Sequence, residues 1–158
     1  MEIRKAKKEE FDQIFMMGFD VWSDGSSEKD YLKECQTSTK YMKGTWYVLS
    51  NELNLISSLI VYDFGNNILG IGSISTPPSL RKNGYASILI SGVISEIEKS
   101  SFGCSIFLYS DIEANFYEKF NFVKIPDSLQ RYKTTTCMVY GKNTQHFLLN
   151  EINSPEYF

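Results

Sequence analysis

The residues of this chain that come nearest to chemistry lie in one run, Pro78-Ser79-Leu80-Arg81-Lys82-Asn83-Gly84-Tyr85-Ala86. A glycine-containing loop that opens a helix gathers backbone N–H groups at one point. Its natural guest is an anion, and a pyrophosphate above all. Gly84 lets the backbone approach such a ligand with no Cβ in the way. Arg81 and Lys82 bring positive charge, and Ala86 is small enough for close packing where the helix begins. Two other phosphate motifs are missing from the sequence. No G-x-G-x-x-G opens a helix, and no G-K-[ST] occurs.

The elements around this loop follow from periodicity. Ile68 to Ser75 alternates as a strand and runs into Thr76-Pro77-Pro78, where two prolines stop any ladder. Tyr85 to Ser100 is the clearest helix, with Ala86, Leu89, Ile90, Val93, Ile94 and Ile97 on one face. Cys104 to Tyr109 is a nearly continuous apolar run, the mark of a strand buried on both sides. Strand, helix and strand together make a right-handed βαβ crossover. Upstream, the spacing predicts a strand over Ile3–Ala6 and an amphipathic helix over Glu9–Trp22. A second helix, capped by Ser27, runs from Glu28 towards Tyr41. Trp46–Leu49 and Leu55–Phe64 read as strands, with turns at Asn51–Asn54 and Gly65-Asn66-Asn67, so that three strands form a meander. Downstream come a brief helix over Glu113–Phe120 and strands near Phe122–Ile125 and Cys137–Gly141. The fold class is α/β in the mixed α+β sense, with a central mixed sheet of six to seven strands.

Composition limits the alternatives. The 158 residues fit a single domain spanning 1–158, large enough for its own core. With 42% hydrophobic and 22% charged residues, collagen-like and disordered classes are excluded. A net charge of -3 offers no basic footprint for nucleic acid or an anionic membrane. Cys35, Cys104 and Cys137 are widely spaced, and His146 is the single histidine, too few soft ligands for zinc. No metal is expected. Charges at Glu2, Arg4 and Lys5 fall where a signal peptide would be apolar, and the uncharged run near Leu53–Tyr62 is too short to span a bilayer. The expectation is a soluble cytoplasmic protein.

The motif Arg81-x-x-Gly84-x-Ala86 resembles the acetyl-CoA pyrophosphate loop of the GCN5-related N-acetyltransferases (GNAT), and it stands between a strand and a strong helix as that family requires. Phe116-Tyr117-Glu118-Lys119-Phe120-Asn121-Phe122 is similar to the family's second signature, Y-E-K-x-G-F. Asn121 replaces the usual glycine, a mild departure, since asparagine tolerates the left-handed conformation of a helix C-cap. The order of elements across nearly the whole chain fits as well. The resemblance implies helices on both faces of the sheet and a βαβ core that binds acetyl-CoA as co-substrate. The strands on either side of the helix then splay apart around the pantetheine arm. Backbone groups of Ile74, Ser75 and Thr76 hydrogen-bond that arm. Arg81, Lys82, Asn83, Gly84, Tyr85, Ala86 and Ser87 hold the pyrophosphate. Tyr117 matches the tyrosine that protonates the departing thiolate, a suitable task for a phenol.

The implied activity is transfer of an acetyl group to a primary amine, small-molecule or peptide, by direct attack in a ternary complex. No nucleic acid or membrane partner is implied, and a homodimer is compatible. The general base is open: Ile68–Thr76 and Cys104–Ser110 hold no carboxylate, which leaves Asp63, Asp111 or a water chain. Bland readings stand beside the sharp ones. Arg81 and Lys82 also fit a solvated surface pair, and Tyr117 a core residue. Trp22, Tyr31 and Tyr62 fit an acceptor pocket or a core. Cys104 and Cys137 read as small apolar core residues with no base beside them, and His146 as surface. A non-catalytic module that keeps the CoA pocket for sensing is the rival function. An ATP-preferring nucleotide-binding α/β domain is a weaker third reading.

Overall fold

A computed structural model describes residues 1–101, 103–141 and 154–158. The described strands form one seven-stranded sheet in the order β1-β2-β3-β4-β5-β7-β6. They are β1 (Glu2–Lys5), β2 (Thr45–Ser50), β3 (Leu55–Asp63), β4 (Ile68–Ser75), β5 (Ser105–Ser110), β6 (Val123–Lys124) and β7 (Thr136–Tyr140). The helices are α1 (Phe11–Met16), α2 (Phe19–Trp22), α3 (Glu28–Thr37), α4 (Thr39–Lys43), α5 (Tyr85–Ser100) and α6 (Asn115–Glu118). The mixed sheet and its flanking helices are those expected from the sequence. Contacts divide the chain into two compact units, Met1–Val61 with Ser73–Ser95, and Tyr62–Gly72 with Glu96–Phe158.

In the first unit β1 pairs antiparallel with β2 and β2 with β3. Cross-strand partners share a face, so Ile3 lies on the side of its partner Leu49, opposite to Trp46 and Val48. Gly92 of α5 meets Ile3, whose Cδ1 would lie 2.1 Å from any Cβ placed there. Phe15 of α1 packs edge-on to Trp46, centroids 5.8 Å apart. Helices therefore cover both faces of this part of the sheet. The single helix expected over Glu9–Trp22 is instead a 3-10 turn followed by α1 and α2. The break falls at Gly18, where a Cβ would sit 2.0 Å from the Trp22 ring. The helix expected from Glu28 to Tyr41 is likewise divided into α3 and α4. Ser38 is extended at ψ 113, and its side chain caps the new start by accepting from the Tyr41 N–H at 3.3 Å. Ser27 caps α3 as expected, accepting from Asp30 at 3.2 Å.

Arg4 and Glu10 tie the end of β1 to the turn before α1. Two guanidinium N–H groups donate to the carboxylate at 2.9 and 2.6 Å, and the Lys7 N–H adds a third bond at 2.7 Å. The Arg4 hydrogen bonds lead in holding the Glu10 carboxyl down at about 2, against an ordinary 4.5. A lowered carboxylate contributes stability above its unfolded value and loses it as pH falls through the folded one. Wild type is therefore expected to lose stability more steeply than Glu10→Gln as pH falls from 4.5 to about 2, in acid titrations of both proteins. Parallel curves would remove this role.

In the second unit β5 pairs antiparallel with β7, which also pairs with β6. Phe107, Ile125, Cys137 and Val139 form a buried cluster, with Ile68, Tyr109, Leu129 and Phe158 packed against it. The start of β4 runs parallel to β5 through the pairs Ile68↔Ser105, Leu69↔Ile106 and Gly70↔Phe107. Those three pairs make up that ladder among the described residues. The turn before β4 takes three consecutive left-handed residues, Gly65, Asn66 and Asn67, at φ 78, 53 and 60. Asp63 accepts from the Gly65 N–H at 2.8 Å and holds that turn.

Candidate functional site

β4 does not end as a regular strand. Ser73 has φ +45, a left-handed conformation that a side chain resists, and it redirects the backbone like a bulge. A hydrogen bond joins it to Tyr41, whose phenol is raised chiefly by burial. Beyond it, Ser75 and Thr76 are buried. Ser57 Oγ donates to the Ser75 carbonyl at 2.7 Å and lies 2.9 Å from Thr76 Oγ1. Ser57 of β3 thus fixes the Ser75 carbonyl in the segment expected to bind pantetheine. Ile74 is half-buried.

The loop is built from turns that its residues make cheap. Pro77 and Pro78 lead into a 3-10 turn over Pro78–Leu80. Lys82 and Gly84 are both left-handed, at φ +65 and +79, and the Asn83 side chain donates to the Leu80 and Arg81 carbonyls, each at 3.1 Å. Ile88 N–H donates to the Gly84 carbonyl at 3.1 Å, which makes Gly84 the residue before the first turn of α5. The N–H groups of Tyr85 and Ala86 therefore have no carbonyl within the helix to accept them. No heavy atom lies within 4 Å of a Cβ built on Gly84, so the space in front of the loop is open. Lys82, Asn83 and Gly84 are exposed, and Tyr85, Ala86 and Ser87 are half-buried. This is the loop that the sequence expects to cradle an anion, and its structure adds a second reason for Gly84: its backbone conformation at φ +79 favours glycine.

Arg81 does something the motif alone did not say. Its Nη1 and Nη2 donate to the two oxygens of Asp20, both at 2.7 Å, and its Nε donates to the Thr76 carbonyl at 2.9 Å. Those hydrogen bonds hold the Asp20 carboxyl below the ordinary carboxylate range. The guanidinium thus clamps α2, the end of β4 and the loop, while the exposed Lys82 carries the charge that faces outward. Asp20 was missed from sequence because the pair is far apart in the chain and no local pattern marks it. Arg81→Lys keeps the charge but loses the fork. It is expected to lower the melting temperature of the unliganded protein by a few degrees, whereas Lys82→Gln leaves it unchanged. Equal melting of all three proteins would remove the clamp.

Tyr117 belongs to the second unit, in α6, and is buried. Its ring meets Phe116 edge-on at 5.0 Å and Phe122 at 6.3 Å. Among the described residues its hydroxyl has no hydrogen-bond partner. Burial, with the Asp111 charge second, pushes the phenol up to about 12. Asn121, standing where the family motif has glycine, is left-handed at φ +65. The substitution keeps the turn.

The remaining candidates separate by environment. Tyr31 is buried, and its hydroxyl donates to the Phe15 carbonyl at 3.2 Å; Trp22 lies against the Gly18 backbone; Tyr62 is buried beside Phe64. Cys104 and Cys137 are free and buried, and burial pushes both thiols up, which suits the core and not a nucleophile. Asp63 serves its turn, and Asp111 is exposed at the end of β5. His146 lies outside the described residues. Among the described residues no cluster of three or more metal-ligating side chains occurs, and no helix is long and apolar enough to cross a membrane.

Comparison with known proteins bears on the family and the fold. No curated protein matches the sequence significantly. Solved structures do match in fold. A conserved Enterococcus faecalis protein described as a probable N-acyltransferase aligns at TM-score 0.65 and 16% identity over 78% of this chain. The match covers 32% of the Enterococcus protein, so this chain spans about a third of its length. A Brucella melitensis GNAT family acetyltransferase, solved with acetyl-CoA, aligns at 0.61 and 14% identity, covering 99% of this chain and 92% of that one. A Staphylococcus aureus N-acetyltransferase aligns at 0.59 and 18% identity, covering 88% and 95%. At these identities the structures speak for the fold alone. The model of the acetyltransferase (GNAT) family matches residues 8–122, which takes in both α1 and the Tyr117 segment, and the chain belongs to that family.

Proposed function

We propose that this chain transfers an acetyl group from acetyl-CoA to a primary amine by direct attack, with no covalent enzyme intermediate. The observation that carries the reading is the loop at Lys82–Gly84, turned left-handed twice so that the open N-terminus of α5 faces free space. Phosphates bind such a terminus through N–H groups and the helix dipole. The N–H groups from Lys82 to Ser87 hold the pyrophosphate, and the Lys82 side chain adds charge. Arg81 acts as a positioning residue through Asp20 and Thr76. Backbone groups of Ile74, Ser75 and Thr76 receive the pantetheine amides.

In the chemical step the amine nitrogen bonds to the acetyl carbon, the C–S bond breaks, and Tyr117 donates its proton to the sulfur. A phenol at about 12 is fully protonated at neutral pH and enters the step as a donor. It also holds that proton more tightly than an ordinary thiol, at about 8.5. The transfer is therefore favourable only when coupled to the proton that the attacking nitrogen sheds, through water or the exposed Asp111.

Binding specificity tests the cofactor half. Acetyl-CoA and CoA are expected to raise the melting temperature alike, and ATP much less, because a ligand bound only to the native state stabilises by mass action. Lys82→Gln is expected to weaken both CoA ligands equally, and the loss is expected to shrink at high salt. A preference for ATP would overturn the reading. The absence of a carboxylate on Ile68–Ser75 and Ser105–Ser110 favours one rival, a non-catalytic CoA-binding module, which would show the same melting shifts without turnover.

A further inference from the structure

Two glycines, Gly70 and Gly72, lie two apart and so on one face of β4, where a packed sheet would ordinarily carry branched side chains. The space beside them is filled by aromatic rings, Phe158 foremost. A Cβ at Gly70 would lie 2.5 Å from Phe158 Cζ, and one at Gly72 would lie 3.6 Å from Phe158 Cδ2. The Gly70 Cβ would also lie 2.9 Å from Phe64 Cε2, and the Gly72 Cβ 3.7 Å from Tyr62 Cε2. Tyr62, Phe64 and Tyr109 wall the Phe158 ring, with centroids at 5.4, 5.1 and 5.5 Å. A glycine inside a strand weakens it relative to alanine and marks a place that something approaches closely.

Ser154–Phe158 has no regular structure, and its anchors are side chains. Arg131 donates to the Ser154 carbonyl at 3.0 Å, the Tyr109 hydroxyl donates to the Pro155 carbonyl, and the Tyr157 N–H donates to the Tyr132 hydroxyl at 3.2 Å. Tyr157 is exposed, and its own hydroxyl stands 3.4 Å from the Asp111 carboxylate. The place is also particular: Gly70 is the last β4 residue paired with β5, and Gly72 lies just beyond.

We propose that Gly70 and Gly72 form a slot for an aromatic ring carried by the amine acceptor, and that Phe158 fills it as an intramolecular competitor. The slot is read from packing alone; its assignment to the acceptor rests on the transferase reading. When the segment lifts, the ring of the acceptor takes the place of Phe158, and the Asp111 carboxylate, released by Tyr157, is open to the ammonium group. A self-occupied site weakens the apparent affinity of a visitor by the fraction of time it is open.

The test is calorimetric titration with phenethylamine, and with butylamine as a control without a ring, both in the absence of acetyl-CoA. Phe158→Ala is expected to bind phenethylamine about tenfold or more tighter than wild type. Adding Gly70→Ala is expected to remove that gain, because the new methyl group fills the slot, while butylamine, which shares only the ammonium contact with Asp111, gains less from Phe158→Ala and does not respond to Gly70→Ala. Should Phe158→Ala fail to fold by circular dichroism, Phe158→Leu keeps an apolar side chain without the ring and is held to the same expectation. Equal phenethylamine affinity in wild type and the folded variant, or a gain that survives Gly70→Ala, would overturn the slot. Because CoA is absent, that failure is distinguishable from failure of the transferase reading, which the melting shift with acetyl-CoA reports separately.

Discussion

Tyr117→Phe is expected to lower the turnover number by about a hundredfold or more, the usual worth of a positioned acid. Melting temperature and acetyl-CoA affinity should barely move, since the ring contacts with Phe116 and Phe122 survive and the lost hydroxyl has no partner among the described residues. The pH profile supplies a second sign. The donor form of a phenol at about 12 is present at every pH below that value. Turnover should therefore show no alkaline loss from Tyr117 near pH 10, where an ordinary phenol titrates. The comparison requires an acceptor and conditions in which chemistry limits the rate, because slow product release would mask the change. Turnover within a few-fold of wild type would make Tyr117 a core residue.

The second large effect is expected at Gly84, and there two substitutions are worth comparing. Gly84→Val puts a β-branched residue at φ +79, which costs about 1–2 kcal/mol, so the unliganded protein itself should melt lower. Gly84→Asn is milder, because asparagine visits that conformation, and its side chain projects into space that holds no protein atom within 4 Å of the Cβ. It should leave the unliganded melting temperature near that of wild type and still cost on the order of a hundredfold in acetyl-CoA affinity. A loss of that size corresponds to one or two charge-assisted hydrogen bonds at about 1.5–3 kcal/mol each. An unchanged acetyl-CoA shift in the folded Asn variant would place the phosphates elsewhere.

The parts of this molecule that were legible in its sequence are those set by local pattern. α5 runs from Tyr85 to Ser100 around its apolar face of Ala86 to Ile97, and β4 runs from Ile68 to Ser75 as the strand pattern and the two prolines require. Asn121 could be read as a left-handed cap because that preference belongs to the residue itself. The breaks within the first two helical stretches were hidden by competition between local and tertiary terms. Gly18 is tolerable inside a helix until the Trp22 ring claims the space beside it, and Ser38 is an ordinary helix residue until its hydroxyl caps a new start. The least legible features are pairings across long sequence distances. Arg81 with Asp20, Ser57 with Ser75, and Phe158 against Gly70 join residues with no shared local signal, and a single sequence carries no record of such partners. For the same reason Arg81 reads from the motif as a phosphate ligand, whereas the structure commits its fork to a carboxylate and a carbonyl.

The most direct measurement incubates the protein with acetyl-CoA and a panel of primary amines, phenethylamine included, and follows free CoA thiol together with the mass of the amine product. Acetyl transfer predicts thiol and N-acetylated amine in equal amounts with at least one amine, rising with protein concentration and falling about a hundredfold in Tyr117→Phe. A protein that melts higher with acetyl-CoA, yet releases thiol no faster than buffer with every amine, would contradict the transferase reading and leave a CoA-binding module in its place.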